Sequence, residues 1–386
     1  MLASAPARAD EAEGGLFDVE VHGFVSQGFI LSLGNNYLTE SKQGSFEFTE
    51  VGLNVTKNIG DRFSIGMQLF MRDLGPIGNY KPQFDWFYLD YRFFDWLGFR
   101  AGRTKLPFGL YNEQSDIDQA RVPILLPQSV YPIENRDALL AQTGVELYGY
   151  VPLSFMGAFD YRLYGGTIFL DSTSLASPDV TVTDLDVPYL VGGRAMWHLP
   201  LDGLRVGGSL QALRIDIDYV VDGDTLAGLV AAGLAPPDFD GEIEYDLPLL
   251  LWVGSVEYSA YDVLLSAEYS RWRTDYSFEP PLVPDGDLTS TRWYVMGSYR
   301  AANWFSPGMY YSLTQTGTKG PNTREKYQQD FAVTARYDIT DNWLVKLEGH
   351  YMRGTAQLSA ALNDVESQKD LERNWGVFLI KTTGYF

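Results

Sequence analysis

The chain consists largely of segments in which apolar and polar residues alternate with a period of two. In residues 63–73 the apolar side chains stand at every second position: Phe63, Ile65, Met67, Leu69 and Met71. This period is typical of strands of about ten residues that face lipid on one side and water on the other. Sixteen strands are predicted, at residues 19–31, 44–57, 61–73, 83–94, 97–105, 141–151, 157–169, 188–199, 204–216, 247–259, 262–273, 290–301, 305–315, 328–339, 342–353 and 373–386.

The connections between these strands alternate between short and long. The short ones fall at 58–60, 95–96, 152–156, 200–203, 260–261, 302–304 and 340–341. An outer-membrane barrel has short periplasmic turns and longer outer loops, whereas a soluble β-sandwich has no reason to alternate in this way. The predicted fold is therefore all-β, a transmembrane antiparallel β-barrel of about 16 strands with both chain ends in the periplasm. A soluble all-β protein with buried aromatics is the alternative.

Aromatic residues favour the membrane interpretation. They make up 15% of the chain, and a group of them flanks the short connections, where a girdle at a membrane–water interface belongs. Its members are Phe94, Trp96, Tyr261, Trp304 and Trp343. No run of 18 apolar residues occurs, so no helical membrane span is predicted. The absence of cysteine suits an oxidising periplasm.

Residues 1–18 are predicted to be a residual export-signal stub and N-terminal segment outside the barrel. Ala7 and Ala9 form a small-residue cleavage pattern, which places the mature start near Asp10. A flexible terminal tail is the alternative. Residues 19–386 would then form one barrel domain in the bacterial outer membrane.

The formal net charge of -21 argues against nucleic acid as a partner. Residues 216–246 hold nine acidic residues and neither Lys nor Arg. Such an outer loop could bind Ca²⁺ or Mg²⁺ and bridge to lipopolysaccharide phosphates, because hard cations prefer oxygen ligands. A solvated acidic loop is the alternative, and no other cofactor is expected.

The longest connection, residues 106–140, lacks a strand pattern and needs a specific reason in a compact domain. The end of the preceding strand and the first residues of this connection read Gly102-Arg-Thr-Lys-Leu-Pro-Phe-Gly-Leu-Tyr-Asn-Glu113. This sequence resembles a strand-end motif of the phosphate-selective porin family. The whole strand pattern resembles sixteen-stranded outer-membrane porins, in which the loop after the fifth strand folds into the barrel and constricts it. The resemblance also implies a homotrimer. Phosphate selectivity is not carried over, since acidic and basic lumen candidates nearly balance. We call residues 106–140 the inward loop.

Charged residues supply the candidate site. The inward loop contributes Glu113, Asp116, Asp118, Arg121 and Arg136. The lumen wall contributes the basic residues Arg72, Arg92, Arg100, Arg103, Arg162 and Arg194. Acids on an inward loop facing a basic wall would create a transverse field in narrow water, which sorts ions. The alternative is that these charges are only the polar inner face of any water-filled barrel.

An enzyme is not expected. His22 and His198 are assigned to the inner ends of strands one and eight and His350 to the outer end of strand fifteen, so they cannot form one catalytic group. The predicted function is a porin, a water-filled channel for passive diffusion of small hydrophilic solutes and ions. A plugged barrel that serves as a surface-binding or scaffold protein is the alternative, and single-channel conductance distinguishes the two.

Overall fold

The computed structural model describes residues 19–170, 180–279, 285–317 and 323–386. The expected export-signal stub, residues 1–18, lies outside the described residues. In the described part, no helix has both the length and the apolar character needed to cross a membrane.

Sixteen antiparallel strands form one closed barrel, in which each strand pairs with the next and the last pairs with the first. The predicted fold is confirmed. The strands are β1 Glu20–Leu33, β2 Thr49–Ile59, β3 Phe63–Asp73, β4 Gln83–Phe94, β5 Leu97–Lys105, β6 Ala141–Pro152, β7 Ala158–Thr167, β8 Val180–His198, β9 Leu204–Val221, β10 Glu242–Ala260, β11 Val263–Glu279, β12 Gly286–Tyr299, β13 Phe305–Thr316, β14 Tyr327–Thr340, β15 Trp343–Gly354 and β16 Asn374–Tyr385. In the described residues, two α-helices, α1 Arg136–Leu139 and α2 Gly223–Ala231, lie in loops together with short 3-10 helices.

Alternate side chains of each strand face opposite sides of the wall, as the period of two requires. In β3, Met67 and Leu69 are well exposed on the outer face, whereas Gln68, Phe70 and Arg72 are buried on the lumen side. The interface aromatics Phe94, Trp96, Tyr261, Trp304 and Trp343 are all exposed. The outer face therefore carries the apolar surface and the girdle that a lipid environment requires.

The strands β8 to β12 are longer than predicted. The strand β8 begins at Val180 instead of residue 188, and β10 begins at Glu242 instead of residue 247. The predicted ends failed there because the extra residues lie beyond the apolar band, where outward positions such as Asp184 and Glu244 are charged. At the other extreme, β2 begins at Thr49 instead of residue 44, since residues 44–48 belong to the first loop.

Candidate pore constriction

The inward loop leaves the wall at a closed neck. The backbone N–H of Leu106 donates to the carbonyl of Leu140 over 2.8 Å. The Asn112 side-chain amide donates to the carbonyls of Leu106 and Leu139 over 2.9 and 2.6 Å. Gly109 has φ +64, which lets the chain turn sharply just inside the neck. The loop is therefore directed into the lumen instead of over the outer mouth.

Apolar side chains hold the loop against the inner wall at two places. Phe108 and Val130 are buried in a cluster with Trp272 and Tyr294 of β11 and β12. Further round the ring, a second buried cluster joins Ile124 and Leu125 of the loop to residues that include Ile30, Trp375 and Leu379 of β1 and β16. The inward loop therefore spans the barrel from one wall to the other.

Two wall carboxylates hold the loop by hydrogen bonds. Glu268 of β11 accepts hydrogen bonds from the hydroxyl of Tyr131 and from the backbone N–H of Leu110, the latter over 2.9 Å. Glu348 of β15 accepts the backbone N–H groups of Ile124 and Leu125 over 2.7 and 2.9 Å. Burial, with Glu268 next to it, raises the pKa of Tyr131 well above its usual value, so its hydroxyl remains a donor.

Asp118 is the centre of a buried ion network. Its carboxylate lies 2.7 Å from Lys381 Nζ, 3.7 Å from Lys346 Nζ and 3.3 Å from the guanidinium of Arg121. The hydroxyls of Ser26 and Thr383 donate to it over 3.1 and 2.9 Å. Burial alone would raise the pKa of Asp118, but the lysines and Arg121 hold it below its usual range.

Asp116 lies in a second buried network on the β3–β5 side. Lys105 Nζ is 2.7 Å from its carboxylate, and the Gln68 amide donates to it over 2.8 Å. Burial opposes ionisation, yet Lys105 and Arg136 keep the pKa of Asp116 below its usual range. Arg136 itself donates to Asp85 of β4 over 3.0 Å. This network ties both ends of the loop to the wall.

Glu113 remains accessible to water, unlike the other two loop acids predicted for the site, Asp116 and Asp118. One carboxylate oxygen contacts Arg162 of β7 and the other lies 3.0 Å from Arg194 of β8. Its side chain is 24% exposed, against 0% and 1% for Asp116 and Asp118. Burial raises and the two arginines lower the pKa of Glu113, and the arginines prevail.

This arrangement corrects the expectation that all three loop acids face the narrowest water. Asp116 and Asp118 are buried in direct contact with lysines, so they anchor the loop. Of these three acids, only Glu113 is in contact with water.

The predicted wall arginines differ in their surroundings. Arg100 lies 2.5 Å from Asp90 and 3.2 Å from Glu146, and Arg72 lies 2.9 Å from Glu50. Arg92 is exposed at the inner end of β4.

The prediction of Arg103 as a lumen residue is wrong. Its register partner on β4 is Phe87, which is 43% exposed on the outer face. Residues directly opposite each other on paired strands share a face, so Arg103 points away from the lumen. Its Nε donates to the backbone carbonyl of Asp85.

Two polar cavities lie below the loop, near the short-turn end of the barrel. One, of about 440 Å³, is lined by Arg92, Arg162, Arg194, Tyr148 and Asp160, among others. The other, of about 270 Å³, is lined by residues that include Arg205, Arg300, Arg336, Glu257 and Asp338. Guanidinium groups and carboxylates therefore face water together in the inner vestibule.

Several important lumen residues were missed from the sequence. Lys381 of β16 lies 2.5 Å from Glu50 of β2, and both are buried. The signal was present, because Lys381 falls between the outward residue Ile380 and the next outward position of a strand with apolar outer residues. A charged residue at such an inward position in mid-strand indicates the lumen.

The histidines lie in separate surroundings. His198 is 2.7 Å from Asp160, and His350 is 3.0 Å from both Asp330 and Glu348. His22 is exposed near the start of β1. Among the described residues, no group of three or more His, Asp or Glu is placed to hold a metal ion.

Comparison with known proteins bears on the fold. No family model and no curated protein matches the chain. Among solved structures, an outer-membrane protein of Vibrio cholerae, OmpT, is 13% identical with a TM-score of 0.57, over 95% of this chain and 97% of that one. An anion-selective porin from Comamonas acidovorans is 12% identical with a TM-score of 0.55, over 95% and 99%. OmpF of Salmonella typhi, in complex with daunomycin, is 14% identical with a TM-score of 0.56, over 95% and 97%. The chain thus has the sixteen-stranded fold of bacterial outer-membrane porins.

Proposed function

We propose that the protein is an outer-membrane porin, a water-filled channel through which small hydrophilic solutes and ions diffuse passively. The observation that carries the proposal is the inward loop, which crosses a closed, externally apolar barrel and leaves polar cavities beneath it. A loop in this position determines which solutes pass, because it sets the width and the charge of the passage.

Three arginines, each paired with a carboxylate, line the inner vestibule. Arg162, Arg194 and Arg205 remain partly accessible to water at 14–29% side-chain exposure. In narrow water, screening is poorer than in bulk, so these charges act strongly on a passing ion. The proposed solutes are therefore small and hydrophilic, and small anions are favoured on the β7–β9 side.

The surroundings and assembly follow from the same proposal. Outer-membrane lipid and lipopolysaccharide contact the apolar outer face, and the protein assembles as a homotrimer. The related fold of OmpT from Vibrio cholerae, which has been solved in a trimer form, supports this assembly. We further propose that the protein is not an enzyme, because His198 and His350 contact separate acidic partners and His22 is exposed near the start of β1.

A plugged barrel that binds a surface partner is the second candidate. The observation that favours it is the extent of the loop's anchoring, since Asp116, Asp118, Tyr131 and Leu125 contact different sides of the wall. A loop held in this way could close the lumen.

Single-channel recording in planar bilayers decides between the two candidates. Purified protein should give steady conductance steps, and replacing residues 112–135 by a short Gly-Ser linker should raise the conductance. As a matched control, a linker of the same kind in place of residues 224–238, in the outer loop after β9, should leave the conductance nearly unchanged. Parent protein that inserts and folds yet stays silent, while the 112–135 variant conducts, would establish the plug instead.

A further inference from the structure

Arg162 and Arg194 lie directly opposite each other on the paired strands β7 and β8. Both side chains face the lumen, where they contact Glu113. Like charges in directly opposite positions repel and destabilise a sheet unless an anion lies between them. Here the anion is the carboxylate of Glu113, with one oxygen on each guanidinium.

We infer that Arg162 and Arg194 form a binding site for the carboxylate group of permeating solutes. The Glu113 carboxylate occupies this site in the structure and competes with such solutes for it. This inference rests on the proposed channel function and names a solute class for it. Two guanidinium groups that each take one oxygen match a two-oxygen anion, and such charge-assisted hydrogen bonds are the strong ones. The resident group is itself a carboxylate, which favours organic acids over other anions.

The binding site formed by Arg162 and Arg194 is open to the inner vestibule. Arg162 and Arg194 line the cavity of about 440 Å³ together with Arg92 and Tyr148. A solute of a few carbon atoms fits a space of that size. Arg92 adds a further positive charge on the approach from the short-turn end.

Two polar atoms at or beside this binding site have unused hydrogen-bonding capacity. In the described part of the chain, Arg194 Nε and Glu146 Oε2 are buried without a hydrogen-bond partner. Arg194 Nε is a donor and so suits a second oxygen of an incoming acid. Glu146 lies 3.6 Å from Arg162 and 3.2 Å from Arg100. It therefore holds the guanidinium groups of Arg162 and Arg100 in place beside the vestibule.

The Glu113 side chain can leave the two arginines without detaching the inward loop from the wall. Its backbone carbonyl is held by Lys105 Nζ over 2.9 Å, and Asp116 is held by the same lysine. Rotation of the Glu113 side chain breaks only its contacts with the two arginines. An external carboxylate then restores the same pairings, so exchange proceeds without an uncompensated charge.

The test compares Glu113→Ala and Glu113→Gln with the control Glu134→Gln, which neutralises an exposed acid on the same loop. Acetate binding to the detergent-solubilised full chain is measured by ligand-observed NMR, which needs no conduction. Removing the competitor should tighten acetate binding at least about fivefold, and the control should not change it. Adding Arg194→Gln to Glu113→Ala should abolish the gain.

Inorganic phosphate, used as a second probe, should gain less than acetate. Unchanged acetate affinity in both Glu113 variants overturns the inference, as does a larger gain for phosphate. In bilayers, Glu113→Ala should also shift the zero-current potential toward anions. A silent parent channel contradicts the proposed function alone, because the NMR result stands without it.

Discussion

Gly109 and Tyr131 approach so closely that a Cβ atom on Gly109 would lie 2.4 Å from the tyrosine hydroxyl oxygen and 2.9 Å from Glu268 Oε1. The contact joins the first turn of the inward loop to its far limb and to β11. A side chain at this position would push Tyr131 away from its partner on the wall.

Gly109→Ala should therefore change both stability and conductance. The left-handed backbone costs a non-glycine residue about 1–2 kcal/mol, and the contact with Tyr131 adds to it. Gly60→Ala is a matched control, because Gly60 has the same φ of +64 and no atom within 4 Å of a Cβ. We expect a larger drop in the free energy of unfolding for Gly109→Ala and an altered conductance only for that variant. Equal effects of the two substitutions would contradict the contact.

Tyr131→Phe should loosen the loop. The hydroxyl accepts the backbone N–H of Leu110 and Tyr111 over 2.8 and 3.1 Å, in addition to donating to Glu268. Removing the hydroxyl leaves the buried N–H of Tyr111 without its acceptor, at a cost of about 1–3 kcal/mol, whereas the N–H of Leu110 still donates to Glu268. Denaturant unfolding followed by tryptophan fluorescence measures the loss. The exposed Tyr80→Phe is the control and should remain within about 0.5 kcal/mol of the parent.

Asp118→Asn should destabilise the protein strongly. The substitution leaves Lys346 and Lys381 buried with less compensating charge, and breaking a buried pair costs about 3–5 kcal/mol. Lys381 keeps Glu50, so the lower end of that range is expected. Asp95→Asn, at an exposed turn, is the control. A variant as stable as the parent would show that Asp118 does not anchor the loop.

Acid should break the contacts of Asp116 and Asp118 that anchor the inward loop only at low pH. The pKa values of Asp116 and Asp118 are held below their usual range by neighbouring cations, so their stabilisation is fully present above the unfolded pKa of about 3.9. It is lost as the pH falls through the lower folded values. The unfolding midpoint should thus change little through these groups from pH 8 to pH 5 and fall below about pH 4. In a variant with Asn at both positions, this acid-dependent decline should be smaller.

Strand positions were predictable where lipid constrains the outer face. The predicted bounds of β5 match the structure, because its alternation ends at Pro107, which cannot donate to a ladder. The outer ends of β8 and β10 were not predictable in this way. Beyond the lipid, an outward residue such as Asp186 carries no apolar constraint, and the pattern no longer distinguishes strand from loop.

The candidate site was predictable only in outline. Residue type and strand parity identify Arg162 and Arg194 as lumen cations, but they do not say which side of the barrel the inward loop reaches. The contact of Asp118 with Lys381 depends on ring closure and on the path of the loop, and both are three-dimensional. For that reason, the sequence predicts Asp118 in the narrow water of the lumen, whereas it lies in a buried network.

Asp118 also has a place in the order of assembly. Its carboxylate contacts Ser26 on the first strand and Lys381 and Thr383 on the last. These two strands meet only when the sheet closes into a ring. The buried network around Asp118 is therefore complete only in the closed ring, whereas Asp116 and Glu268 bind the loop to β5 and β11 independently of closure. Closure of the sheet and complete anchoring of the inward loop are therefore coupled in this fold.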